Sequence, residues 1–305
     1  MTAPRPPTPT RAPDGLGALA TLRETVRSFS RHGGTLLGGA MAFFALLSAV
    51  PTFVIALDVA GAVTSRQSAR DELLRGFRAW MGRDGAHTIG LLLDQVQARA
   101  AGPWQRALGA LVVVYGSTRL FTQTQRALNL MWDVTARPTK DLRVGALRVL
   151  QKRAVAFAMV VVCALFLLAS TLLRAAAVSA TEVLPLPVHW ILYDHAVSFA
   201  VTALLFTAIF KWLPDVRIVW RDALAGGVLT AALFALGKVL IARYLARESH
   251  LSVFGVAGSV VVLLLWVHYS AQIFFFGAAF TAVRARRAGR PLEPTANALR
   301  VSIEG

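Results

Sequence analysis

A handful of polar side chains stand inside apolar runs, and they are the chemistry that this sequence offers. In LGALVVVYGSTRLFTQTQRALNLMWDV (108–134), Arg119 lies near the middle. Tyr115 precedes it at i−4, and Gln123, Arg126 and Asn129 follow at helical spacing, so an α-helix places them on one face. Lys238 interrupts a later apolar run. His268 and Gln272 share a face of the last run at i and i+4. A guanidinium deep in a membrane-spanning helix is costly, so it faces a bundle interior or a watery cavity. Either Arg119 only pairs inside the bundle while Arg126 and Asn129 snorkel to the interface, or the set Arg119, Gln123, Arg126, Lys238, His268 and Gln272 lines a polar path. Cations outnumber acids in that set, so an anionic partner such as a lipid headgroup fits it.

Other chemistries lack their residues. The histidines at 32, 87, 250 and 268 are isolated, and His189 and His195 with Asp194 resemble a metal half-site only weakly. Metal-assisted phosphodiester cleavage needs clustered His and Asp ligands, and no HxHxDH or HExxH string occurs. There is no GxSxG elbow and no Walker A loop. The expectation is no catalytic residue, no metal, no cofactor, and no direct use of ATP. The single cysteine, Cys163, sits in an apolar run and offers no disulfide framework.

The elements that must position these groups are membrane helices. The 305 residues are 56% hydrophobic and only 16% charged, with a mean hydropathy of +0.57. Several runs reach the ~20 residues that a spanning helix needs. The expected fold is all-α and polytopic, with six transmembrane helices near 36–61, 108–134, 154–178, 190–213, 223–244 and 256–283. Between the first two, residues 62–105 read as two amphipathic helices on or near the membrane surface. Residues 1–21, rich in Pro, Thr and Arg, are expected to be a disordered tail. Leu22 to His32 reads as a short surface helix. The transmembrane domain is expected to cover 22–285, with a loose basic tail over 286–305.

A net charge of +16 could suggest nucleic acid, but in a membrane protein Lys and Arg collect on the cytoplasmic side and meet anionic lipid. Basic residues gather at 5–31, 137–153, 211–221 and 284–300. The short loops between them hold only Arg174, Arg243 and Arg247. The long 62–105 connection breaks the pattern with several arginines. Both termini are therefore expected in the cytoplasm, with anionic lipids as partners and no nucleic acid. The sequence leaves the oligomeric state open.

Four segments together carry a family resemblance: GGAMAFFALLSAVPTFVIAL, LGALVVVYGSTRLFTQTQRALNLMWDV, KWLPDVRIVWRDALAGGVLTAALFALGKVLIARY and FGVAGSVVVLLLWVHYSAQIFFFGAAF. Over about residues 25–285 the chain resembles the YihY/BrkB family of bacterial inner-membrane proteins. The resemblance implies a six-helix fold. Some relatives are linked to serum resistance and one to export of a lipid A precursor, and the family was once labelled a ribonuclease. This chain departs from it at Ala279, where members commonly carry Glu, and at Phe254, often Tyr. It therefore cannot use that Glu to couple protons. Two functions follow as expectations: a transporter or lipid translocator for an anionic or lipid-like substrate, or a non-transporting assembly factor of the envelope. Ribonuclease activity is not expected.

Overall fold

The computed structural model describes residues 14–63, 65–99, 102–137, 150, 151, 154, 189–247, 255–290, 292–295 and 298–301. The described helices are α1 (Asp14–Arg31), α2 (Gly34–Val63), α3 (Arg66–Arg99), α4 (Pro103–Met131), α5 (His189–Trp212), α6 (Trp220–Arg247) and α7 (Gly255–Arg287). Short strands β1 (Val134–Ala136), β2 (Val216–Arg217), β3 (Glu293–Pro294) and β4 (Ala298–Arg300) complete it.

α7 is the axis. It packs against α1, α2, α3, α4 and α6, while α5 packs on α6. Small residues set the close approaches: a Cβ at Gly226 of α6 would collide with Thr281 of α7, and one at Gly277 of α7 with Thr230 of α6. Helices in lipid have little hydrophobic drive to associate, so such small-residue contacts let van der Waals packing hold them. Around this seam sits an aromatic core. Phe210 stacks on Phe274 with ring centroids 5.4 Å apart, and Trp132 meets Phe210 edge-on at 6.2 Å. Leu57, Ile89, Leu93, Leu263 and Trp266 form a second core between α2, α3 and α7.

Of the six expected spans, two helical stretches are long and apolar enough among the described residues, 220–240 and 263–287. Helices α2 and α5 cover the first and fourth expected positions, with apolar stretches Gly34–Ser48 and Ala196–Trp212. α4 covers the second, but Arg119, Gln123 and their polar neighbours hold its hydropathy down. The expected third span at 154–178 lies outside the described residues, apart from Ala154.

Three expectations are corrected. The 62–105 connection holds one helix, α3, of 34 residues, and not two short surface helices; it packs along α2 and α7. Ser65 caps its start by accepting a bond from the Ser68 backbone N–H at 3.0 Å. A mid-helix glycine costs only about 1 kcal/mol relative to alanine, so Gly82 and Gly85 do not break it. At the N-terminus, helix α1 begins at Asp14, inside the segment expected to be disordered. At the other end, the tail is not loose where it is described. Strand β4 pairs antiparallel with β1 (Thr135 opposite Leu299), and β3 pairs with β2. The apolar Leu292 and Ala298 are buried there, a signal too sparse for a periodicity argument.

Candidate functional site

Three aspartates gather the polar chemistry at one end of the bundle, where α1, α4, the α5–α6 turn, α7 and the C-terminal strands meet. Asp133 follows the end of α4 in left-handed backbone, φ 57°, a conformation that Asp tolerates better than most residues. That twist aims its carboxylate across the end of the helix. The Nε2 of His32 lies 3.0 Å from Oδ1, and Arg286 Nη1 donates to Oδ2 at 2.6 Å. Burial pushes the Asp133 carboxyl up. The His32 hydrogen bond and the Arg286 charge outweigh that and hold it below the ordinary carboxylate value. The Nδ1 of His32 also lies 2.6 Å from the Ser28 carbonyl. Both ring nitrogens of His32 thus face acceptors, the Asp133 carboxylate and the Ser28 carbonyl.

Ser28, His32 and Asp133 are the residue types of a nucleophilic triad, but the geometry is not one. Ser28 is fully buried, its hydroxyl lies 3.5 Å from Nδ1, and that nitrogen already faces a carbonyl. A reacting carbonyl has no approach to it.

Asp215, in the α5–α6 turn, is held from α4. Asn129 and Gln125 donate to its carboxylate at 2.8 and 3.0 Å, and its own N–H donates to Asn129 Oδ1 at 2.8 Å. Asp222, fully buried in the first turn of α6, takes a bidentate pair from Arg290 and a further bond from Arg284 Nε at 3.3 Å. Its position also suits the positive end of the helix dipole, and its carboxylate raises the Arg290 pKa further above the ordinary value. These contacts tie α1, α4, α6, α7 and the chain after α7 into one clasp.

The residues singled out from sequence fall elsewhere. Arg119 is exposed, its guanidinium over the Tyr115 ring at 5.2 Å. Arg126 is also exposed and Gln123 is half-buried. Trp104, Leu108, Leu111, Tyr115, Arg119, Thr122 and Arg126 follow one another at three- and four-residue steps, one continuous stripe along α4. It is apolar above Tyr115 and polar below. Among the described residues, α4 buries its Gly116 side against Ser48 of α2 and leaves Arg119 exposed, where other helices were expected around it.

His268 and Gln272 are brought together, Nε2 to Nε2 at 2.6 Å. The amide must donate, so the Nε2 of His268 accepts. They face Gly38 of α2, where an added Cβ would lie 3.2 Å from Gln272 Cγ. Lys238 is half-buried on α6 with no hydrogen bond or ion pair to the described residues. Among the described residues the α4 members of the set lie on an outer stripe and the His268–Gln272 pair lies in the α2–α7 seam.

The side chains of His189, Asp194 and His195 lie outside the described residues, and no metal-holding group occurs among those described. Sequence reasoning left Asp133 unremarked at the end of the second expected span and Asp215 and Asp222 in a basic turn, and it placed Asn129 at the interface. The available signal was scarcity: with 16 acidic residues in the chain, an Asp just past or just inside a helix end is a partner in waiting for helix-terminal arginines.

A helix bundle with two described stretches long and apolar enough to cross a membrane, small-residue seams and a clasped basic end is of the membrane-protein class. The chain belongs to the family described as virulence factor BrkB, whose model matches residues 25–300. Among its curated relatives are UPF0761 membrane proteins. That of Ralstonia nicotianae is 28% identical over 81% of this chain and 54% of its own length. That of Methylibium petroleiphilum is 28% identical over 88% and 62% respectively. That of Janthinobacterium sp. (strain Marseille) is 26% identical over 81% and 55%. The chain spans a little over half the length of these relatives. No solved structure matches it. At the position where the resemblance leads one to expect Glu, Ala279 is fully buried in the aromatic core.

Proposed function

We propose that this protein is a lipid translocator of the bacterial inner membrane. It would act on an anionic, lipid-like substrate in envelope biogenesis, with both termini in the cytoplasm. The observation that carries this reading is the contrast in arginine pairing. Arg284, Arg286 and Arg290 each meet a carboxylate, whereas Arg119 and Arg126 stand exposed with no carboxylate among the described residues.

Arg119 lies 12 residues before the end of α4, ~18 Å along the axis at 1.5 Å per residue. With the clasp at the cytoplasmic headgroups, a large part of that rise falls within hydrocarbon. An unpaired guanidinium there is costly unless it meets an anion. Its planar fork matches a phosphate, and a phospholipid can bring one along an outer helix face while its tails stay in the membrane. In this reading Tyr115, Arg119, Gln123 and Arg126 form the headgroup track. Lys238 and the His268–Gln272 pair supply polar groups deeper in the bundle.

The test is reconstitution in liposomes carrying fluorescent anionic lipid, with dithionite quenching to follow movement between leaflets. Wild type should accelerate loss of the protected signal and Arg119→Leu should not. Equal rates in protein-free vesicles would defeat the reading. The clasp itself favours a second function, a rigid assembly factor of the envelope with no substrate, and that same null result would support it.

A further inference from the structure

Helix α1 is amphipathic in the inverse sense. It buries Thr25 and Ser28, with His32 buried just past its end, and it exposes Leu19 (68%), Leu22 (43%) and Val26 (50%). The buried stripe belongs to the clasp. Arg287 of α7 donates to the Gly17 carbonyl at 2.8 Å and to Thr21 Oγ1 at 2.7 Å, and its Nε lies 3.2 Å from Glu24. Arg286 bonds Ser28. With its polar side committed to α7, the apolar side faces outward.

On a helical wheel, Leu19, Leu22 and Val26 form one stripe, and Arg23, Arg27 and Arg31 flank it on one side. All three arginines are exposed, with no carboxylate partner among the described residues. The same end of the bundle carries another group of the same make. Trp212 and Trp220 are exposed and meet edge-on at 5.5 Å, Lys211 lies over the Trp220 ring at 5.7 Å, and Arg217 and Arg221 are exposed nearby. Exposed tryptophans beside basic residues are the pairing that sits at a lipid headgroup layer.

From this we infer that α1 lies in the plane of the membrane on an anionic lipid surface. Leu19, Leu22 and Val26 enter the acyl boundary, and Arg23, Arg27 and Arg31 contact the headgroups. An apolar stripe on a helix whose other side is pinned has one low-energy cover in a membrane protein, the acyl boundary. The flanking guanidiniums select an anionic surface, at about 1 kcal/mol per basic residue near it. The inference is independent of lipid translocation, because it concerns a face of α1 and not α4.

The test uses the full chain with Cys163→Ser, a spin label at Leu22→Cys or Val26→Cys, and nanodiscs of phosphatidylcholine alone or with phosphatidylglycerol. The expected result is a label reached by oxygen and shielded from a water-soluble nickel chelate in the anionic discs. The oxygen-to-nickel ratio should be severalfold lower in phosphatidylcholine alone. It should fall likewise in anionic discs when Arg23→Glu, Arg27→Glu and Arg31→Glu are combined. The label sites are exposed, so the variants keep the buried face of α1 intact. A label open to nickel in both discs means that water covers the stripe. A label immobilised and shielded from both reagents means that a second copy or another segment of the chain covers it. An accessibility ratio independent of lipid charge removes the arginines from the contact. Any of these three results overturns the inference.

Discussion

The clasp end and the α4 stripe use the same residue types for opposite ends. At the clasp, Arg284, Arg286 and Arg290 meet Asp222 and Asp133, and Asn129 meets Asp215, each pair joining elements far apart in sequence. Along α4, Arg119 meets the Tyr115 ring, and neither it nor the exposed Arg126 meets a carboxylate among the described residues. A charge matched by a fixed carboxylate braces a fold. A charge left unmatched on a membrane-facing helix is free to meet something mobile. The difference separates residues whose loss should unfold the protein from residues whose loss should leave it folded and inert.

The largest effect is expected at the clasp. Asp222→Ala leaves two arginines facing a cavity, and breaking a buried pair from one side costs roughly 3–5 kcal/mol. The lower part of that range applies here, because Arg284 and Arg290 are 43% and 33% exposed. Thermal unfolding in detergent should fall by many degrees, with reduced abundance in the membrane; a wild-type melting curve would break the comparison from the clasp side.

Next comes Asn129→Leu. It strips the Asp215 carboxylate and the Asp215 N–H of a partner at once. Leaving buried polar groups unsatisfied costs about 1–3 kcal/mol each. Asn129→Asp should be worse still, because it sets two carboxylates face to face. The same melting assay ranks them, and equal stability of the two variants would argue against repulsion between a carboxylate at position 129 and Asp215.

These two sites also mark how far the sequence could be read. Membrane character and the helices over the expected spans other than 154–178 were legible, because apolar runs act locally. The clasp was not. Asp133, Asp215 and Asp222 draw their meaning from Arg286, Asn129 and Arg290, at separations of 153, 86 and 68 residues, and no spacing rule reaches that far. The continuity of α3 was missed for a local reason, since two glycines look like a break and cost too little to be one. For the α4 stripe, periodicity grouped Tyr115, Arg119 and Arg126, which are exposed together, with Asn129, which is buried against Asp215, and it could not say what lies opposite. Only packing shows that Gly116 meets α2 and that Arg119 faces out.

A smaller effect comes from pH. The Asp133 carboxyl is held below its ordinary value, so its contribution is fully present above the unfolded pKa near 4. It is lost as pH falls through the folded value. Thermal stability should drop on acidification below about pH 4, and the Asp133→Asn protein should lose less over that interval. An identical acid dependence in both would place the titration elsewhere.

The least effect on stability is expected at Arg119, where the effect on lipid movement should be greatest. Arg119→Leu should melt within about 0.5 kcal/mol of wild type, as surface substitutions away from buried networks do. Its leaflet-to-leaflet movement of anionic lipid in proteoliposomes should nonetheless be abolished, and Arg119→Lys should retain part of it, since charge survives while the bidentate fork does not. The decisive measurement is that rate, taken on Arg119→Leu protein already shown to be folded. Loss of transport at unchanged stability is the predicted result. Wild-type transport in a stable Arg119→Leu protein would contradict it and remove the α4 stripe from any substrate path.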